Sequence, residues 1–358
     1  MDKKKKVAII GSHGLYANYG GWDQLVKNLA EKKSKNIEYI IFNSVETSKN
    51  ILSPDGVIIK RLPLKASGFQ GLFYDFWSIL LCFWKVDTLL LLGVQGMPIL
   101  PFLKLFRKVD IVANVGGIEW ERPKFGFFAK MYLRFCFHLS FIFSKYVILD
   151  NQFYTKFIPK KKKAKVVILP YGGEIDKSLE ISEEMIKKYP FLNKDYFLSI
   201  SRPLVDNLID ELCESFIGSN NRLVLISNLY SSPYGMKILE KYKNIENIII
   251  INGLYVKPEL DLIRRNCKAY IHTHTLCGTA PSLVEIIIAQ RPVFSIDNPQ
   301  NRFTLQNQGF FYSSFNEIQN LLKVKNDLSK YIPSIELCKL YDWQIIVNDY
   351  EKLYYNDL

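Results

Sequence analysis

The sequence predicts an α/β protein built of two doubly wound parallel sheets, one in each half of the chain. Three observations predict it. Short aliphatic runs alternate with longer helical stretches along most of the chain. The alternation restarts after a polar, helix-breaking region near residues 176–194. At 358 residues, 48% hydrophobic and 14% aromatic, the chain is long and apolar enough to bury two cores.

The first half opens with the strand Val7 to Ile10 and a glycine-rich loop, Gly11 to Gly21. A helix from Trp22 to Lys32 and a strand from Tyr39 to Phe42 follow. Val57 to Ile59 is a further strand, and Gln70 to Trp84 a strongly apolar helix. Thr88 to Leu92 reads as a buried strand, Pro101 to Arg107 as a short helix, and Ile111 to Asn114 as a strand. Phe127 to Phe143 is a long helix before the strand Tyr146 to Leu149.

The second half repeats the plan with strands at Tyr196 to Ile200, Leu223 to Ile226, Ile248 to Ile251, Ala269 to His272 and Val293 to Ile296. Between the last two lies a small-residue loop, Thr273 to Pro281, feeding an apolar helix that starts at Ser282. Backbone N–H groups and the helix dipole make such a loop a ready anion site. The expected organisation is an N-terminal domain over residues 1–175, a linker over 176–195 and a second domain over 196–335. A C-terminal helix within 336–358 is expected to pack back on the N-terminal domain.

Charge is uneven. Residues 1–175 carry 27 Lys/Arg against 13 Asp/Glu, whereas residues 176–358 carry 20 against 22. Lys3 to Lys6 and Lys160 to Lys163 are the densest runs. A solvated basic face and an anionic membrane surface both fit this bias. Nucleic acid is set aside, since no recognised binding motif accompanies the charge. The six cysteines are scattered without CxxC pairs or zinc-ligand spacing, which points to a reducing, cytoplasmic compartment and to no metal. The start lacks the apolar stretch of a signal peptide, and no run reaches the roughly 18 apolar residues of a membrane span.

The first loop does not meet the G-x-G-x-x-G dinucleotide pattern, and Phe42-Asn43 supplies no acidic residue for a ribose. Four other stretches carry a resemblance: 14–21 (GLYANYGG), 115–122 (VGGIEWER), 169–172 (LPYG) and 272–285 (HTHTLCGTAPSLVE), the last with Asp297 to Pro299. Together they resemble the GT-B glycosyltransferases of glycosyltransferase family 4, in particular the bacterial rhamnosyltransferase-type branch of capsule and O-antigen assembly. The resemblance implies two Rossmann-like domains facing a central cleft. It also implies retaining, metal-independent transfer from a nucleoside-diphosphate sugar, with no cofactor.

The resemblance also assigns residues. Gly20 and Gly21 would give the donor diphosphate backbone room; a plain tight turn is the other reading. Arg202 matches the family's diphosphate arginine, a permanent bidentate cation for the leaving group. The lysine that many relatives carry nearby is missing from 203–207. Glu285 matches the glutamate that contacts the nucleotide ribose. Equally, Ser282 and Glu285 have the spacing of a capping box. The relatives' second glutamate, seven residues earlier, is Gly278 here. Gly278, Thr279, Ala280, Pro281 and Ser282 would then face phosphate. His272 and His274 either line the donor-sugar pocket or form a structural pair.

Glu119 is expected to contact sugar hydroxyls, and Trp120 either stacks on a sugar or packs in the core. The relatives carry Asp-Gly where this chain has Gly116-Gly117. The apolar helix Gln70 to Trp84 is either core or a rim touching lipid. The function implied is extension of a lipid-linked oligosaccharide at the inner face of the cytoplasmic membrane, with dTDP-L-rhamnose as donor. A GT-B nucleotide-sugar epimerase and a non-catalytic nucleotide-sugar-binding scaffold are the alternatives.

Overall fold

A computed structural model describes residues 4–17, 20–121, 125–323 and 327–355. Lys3 of the N-terminal run, Asn18 and Tyr19 of the first loop, and Arg122 of the second stretch lie outside them. The chain forms two compact units, Met1–Gly172 with Trp343–Leu358, and Gly173–Asp342. Each is a parallel sheet covered by helices, the fold class expected from the alternation.

The first unit comprises β1 (Lys5–Ile10), α1 (Gly21–Lys32), β2 (Ile37–Asn43), β3 (Val57–Arg61), α2 (Gly68–Cys82), β4 (Thr88–Leu92), α3 (Leu100–Leu103), β5 (Asp110–Asn114), α4 (Phe127–Phe143), β6 (Tyr146–Leu149) and β7 (Lys165–Ile168). Strand order is β3-β2-β1-β4-β5-β6-β7. Alternate residues of β1 serve opposite faces. Ala8 and Ile10 join the core under α2, α3 and α4, while Val7 and Ile9 join the core under α1. All of β4 is buried, which is why it reads as an unbroken apolar run.

The second unit comprises α5 (Glu183–Lys188), β8 (Phe197–Ile200), α6 (Ile209–Phe216), β9 (Leu223–Ser227), α7 (Pro233–Tyr242), β10 (Ile248–Asn252), α8 (Lys257–Asn266), β11 (Ala269–His272), α9 (Pro281–Ile288), β12 (Val293–Ile296), α10 (Pro299–Leu305), β13 (Phe310–Tyr312), α11 (Phe315–Lys323) and α12 (Ile335–Lys339). Its strand order is β10-β9-β8-β11-β12-β13. The last helix, α13 (Trp343–Tyr355), returns to the first unit. There Trp343, Ile346, Val347, Tyr350 and Leu353 fill the α1-side core, and the Asn114 amide donates to the Tyr350 hydroxyl at 2.6 Å.

One segment differs from expectation, and two readings left open are decided at Trp120 and in α2. Residues 176–195, expected as a linker, lie in the second unit and send Met185, Tyr189, Phe191 and Leu192 into its core. Their apolar residues are masked in sequence by the intervening Glu and Lys. Trp120 is a core residue, packed edge-to-face on Phe137 at 4.6 Å, and offers no sugar platform. Helix α2 is neither of the simple expected forms. It buries Tyr74, Asp75, Ser78, Ile79 and Cys82, and exposes Phe69, Phe73, Trp77 and Leu81.

Candidate functional site

In each sheet the winding direction reverses once, between β1 and β4 and between β8 and β11. Crevices outside the carboxyl ends of strands at such points are where open α/β sheets bind ligands. The second reversal collects most of the expected donor residues.

Arg202 follows β8 and is exposed. Its carbonyl accepts from the Leu204 amide at 2.8 Å and from Asn207 Nδ2 at 2.8 Å, which fixes the turn. The guanidinium itself has no partner among the described residues. The loop after β11 is sewn to the same turn. Thr273 Oγ1 donates to the Asn207 carbonyl at 2.5 Å, and Thr275 Oγ1 donates to the Asp206 carbonyl at 2.8 Å. From the other side, Asn298 Nδ2 donates to the His274 carbonyl at 3.1 Å. The loop then buries Gly278, Thr279 and Ala280 and leaves Pro281 and Ser282 half-buried at the start of α9.

The capping box does not form. Ala280 is the N-cap of α9, with Pro281 at the first helical position, so Glu285 lies beyond the reach of a capping glutamate. Its carboxylate pairs instead with the buried Arg264 of α8. Arg264 also holds Asp261 at 2.7 Å, and Lys257 Nζ reaches Asp261 at 2.5 Å. Asp261 further accepts from the Asp176 amide at 2.9 Å, and Lys257 donates to the Glu174 carbonyl at 2.8 Å. Two cations and two anions thus alternate from the start of the unit to Glu285. Burial pushes the Glu285 carboxyl above its ordinary range, opposed chiefly by Arg264.

His272 is wholly buried, its ring 4.4 Å from that of His274 and stacked on Tyr270 at 6.0 Å. Burial holds its pKa well below the usual value, so it is neutral. It lies beneath the loop, whereas His274 is half-buried in it.

In the first unit, Gly11 (φ +98°) and Gly14 (φ +126°) are required by the protein itself. A Cβ would lie 2.0 Å from the Leu92 carbonyl oxygen at Gly11, and 2.3 Å from Asn43 Oδ1 at Gly14. Gly20 differs: its backbone is extended and a Cβ there meets nothing within 4 Å. Gly21 starts α1, and Glu119 is half-buried on the turn Glu119–Glu121 that follows β5.

A polar cluster here went unread in the sequence. Asp23, 1% exposed, accepts from the His13 amide at 3.0 Å and the Gly20 amide at 3.2 Å. It also sits 3.3 Å from His13 Nδ1 and raises that histidine's pKa. An acidic residue three positions after the helix-initiating Gly20 was the available signal. Beside it, the Trp22 indole covers Gly93 and Gly116 at the ends of β4 and β5.

Residues 4–174 match a family described as Domain of unknown function (DUF1972). No curated protein sequence matches the chain. Among solved structures, the chain is similar to sucrose-phosphate synthase from Thermosynechococcus elongatus, at 13% identity, TM-score 0.80 and 99% coverage of both chains. It is similar to Anabaena HepE in complex with UDP-glucose, at 11% identity and TM-score 0.73, covering 99% of this chain and 100% of that one. The E. coli trehalose-6-phosphate protein bound with UDP-2-fluoro glucose matches at 11% identity and TM-score 0.70, over 99% and 98%. At these identities the shared property is the GT-B fold.

Proposed function

We propose that the protein is a retaining, metal-independent glycosyltransferase that moves a sugar from a nucleoside-diphosphate donor to a lipid-linked saccharide. The observation that carries this reading is the site at the β8/β11 reversal. There the exposed guanidinium of Arg202, without a partner among the described residues, shares one sewn turn with the loop 273–282 and the start of α9. A diphosphate fits that combination of fixed cation, small residues and helix N-terminus. Arg202 would hold both phosphates and stabilise the charge that grows on the leaving diphosphate. Thr279 and the 278–282 backbone would complete the cradle.

Glu285, one turn into α9, would accept hydrogen bonds from the two ribose hydroxyls. Arg264 pairs with that carboxylate and opposes, without cancelling, the upward pull of burial on its pKa. His274 would line the sugar pocket, with His272 supporting it from below. In the first unit, Gly20 and Gly21 would leave room for the donor and Glu119 would meet sugar hydroxyls. Retention needs no strong enzymic base, because the leaving phosphate can take the acceptor proton on the same face.

HepE was captured with UDP-glucose, and the sequence resemblance points to dTDP-L-rhamnose. We favour the latter, acting in capsule or O-antigen assembly. The test is incubation with a panel of nucleotide sugars and a lipid-mimic acceptor, read by mass. Released nucleotide diphosphate with a glycosylated acceptor is expected. An altered donor sugar, or binding without turnover, would refute transfer.

A further inference from the structure

We infer that the α2, α3 and α4 face of the first unit is a docking surface for an anionic lipid bilayer. All three helices cover the same side of the sheet. Arg107 donates to the Phe83 carbonyl at 2.7 Å, tying the end of the α3 segment to the end of α2. Lys104 Nζ donates to the Phe143 carbonyl at 2.9 Å, tying that segment to the end of α4.

The outward residues are the wrong kind for water. On α2 and just past it, Phe69 is 78% exposed, Trp77 55% and Trp84 54%. They belong to a stripe with Phe73 and Leu81, at the three- and four-residue spacing of one helix face. On α3 and just past it, Phe102, Leu105 and Phe106 are exposed, and on α4 so are Phe127, Phe128, Met131 and Phe135. Monomeric proteins rarely leave so much aromatic surface contiguous without a partner.

Charge selects the partner. The one acidic residue on these helices is Asp75, which is buried. Lys85, Lys104, Arg107, Lys108, Lys130 and Arg134 lie on or beside them. Aromatic side chains set among cations match the interface of an anionic membrane. A second copy of the same face would bring like charges together. Among the described residues no helix is long and apolar enough to cross a membrane, so contact would be peripheral.

The use of this face rests on the lipid-linked acceptor proposed above. Its lipid binding is read without any transfer, so either reading can fail alone. The experiment is co-sedimentation of the full chain with phosphatidylglycerol-containing vesicles and with pure phosphatidylcholine vesicles. Binding to the anionic vesicles is expected, weakening with added salt. The combined variant Trp77→Ser, Phe106→Ser, Phe128→Ser should lower affinity roughly ten-fold or more, since each removes interfacial aromatic area. The control Tyr230→Ser, Tyr255→Ser, also exposed but in the second unit, should bind as the parent does. Circular dichroism checks that each variant folds. No binding by the parent, equal binding to both vesicles, or undiminished binding by the triple variant overturns the inference. So does a dimer that the triple variant abolishes while vesicle binding persists.

Discussion

Asp75 offers the sharpest stability prediction. It lies on the buried face of α2, 3% exposed, and its Oδ1 has no hydrogen-bond partner among the described residues. Burial raises its pKa from 3.8 to about 7, although a hydrogen bond from Gln95 pulls the other way. The folded state therefore holds a proton that the unfolded state releases. The stability contributed by neutral Asp75 is complete below about pH 4 and is lost as pH rises towards about 7. A shift of about three units corresponds to about 4 kcal/mol. At about 2–4 °C per kcal/mol for a unit of this size, that is on the order of 10 °C in Tm.

Asp75→Asn keeps the shape and removes the ionisation. Thermal unfolding of parent and variant from about pH 4 to about pH 8 is the assay. The two should nearly coincide at the acid end, and the variant should gain up to roughly 10 °C by pH 8. Curves that stay parallel across the range would show that Asp75 does not carry a buried charge, and the reasoning would fail.

Four further substitutions test the site and its scaffold. Arg202→Ala should lower kcat/KM by roughly 10²–10³-fold and leave Tm unchanged, because the side chain is exposed and has no partner among the described residues; steady-state kinetics beside a melting curve checks both. Glu285→Gln should weaken donor binding and also cost about 1–3 kcal/mol of stability, since it removes one of the buried Arg264's two carboxylates; titration calorimetry and urea unfolding separate the effects, and unchanged donor affinity would leave Glu285 a purely structural partner. Gly11→Ala should fail to fold, whereas Gly20→Ala should fold normally and lose activity; soluble yield and turnover compare them, and an active Gly20→Ala protein would remove the ligand-room reading.

What was legible in the sequence was what repeats. Strands such as Thr88–Leu92 and Ala269–His272 announce themselves because every position is buried and most are apolar. The short strands Lys165–Ile168 and Phe310–Tyr312 did not, since they sit at sheet edges where fewer residues are fully buried. The same limit hid α5, whose single buried residue, Met185, lies in a run dominated by Glu and Lys.

The site shows the complementary limit. The loop 273–282 could be picked out because its elements are contiguous. The partner of Glu285 could not, because Arg264 is 21 residues away and on a different helix. Only the packing of α8 beside α9 makes them neighbours, and local spacing offered the capping box instead. Asp23 was hidden for a similar reason: its His13 partner lies across the whole first loop, ten residues back. Helix α2 carries the point furthest. Its aromatic periodicity correctly indicates a helix, but periodicity alone cannot say which stripe meets the sheet. The stripe with Tyr74, Asp75, Ser78, Ile79 and Cys82 does, placing a lone carboxylate in the core and five large apolar groups, Phe69 to Trp84, outside. The first costs stability as Asp75 ionises near pH 7, and the second fits the bilayer contact inferred above.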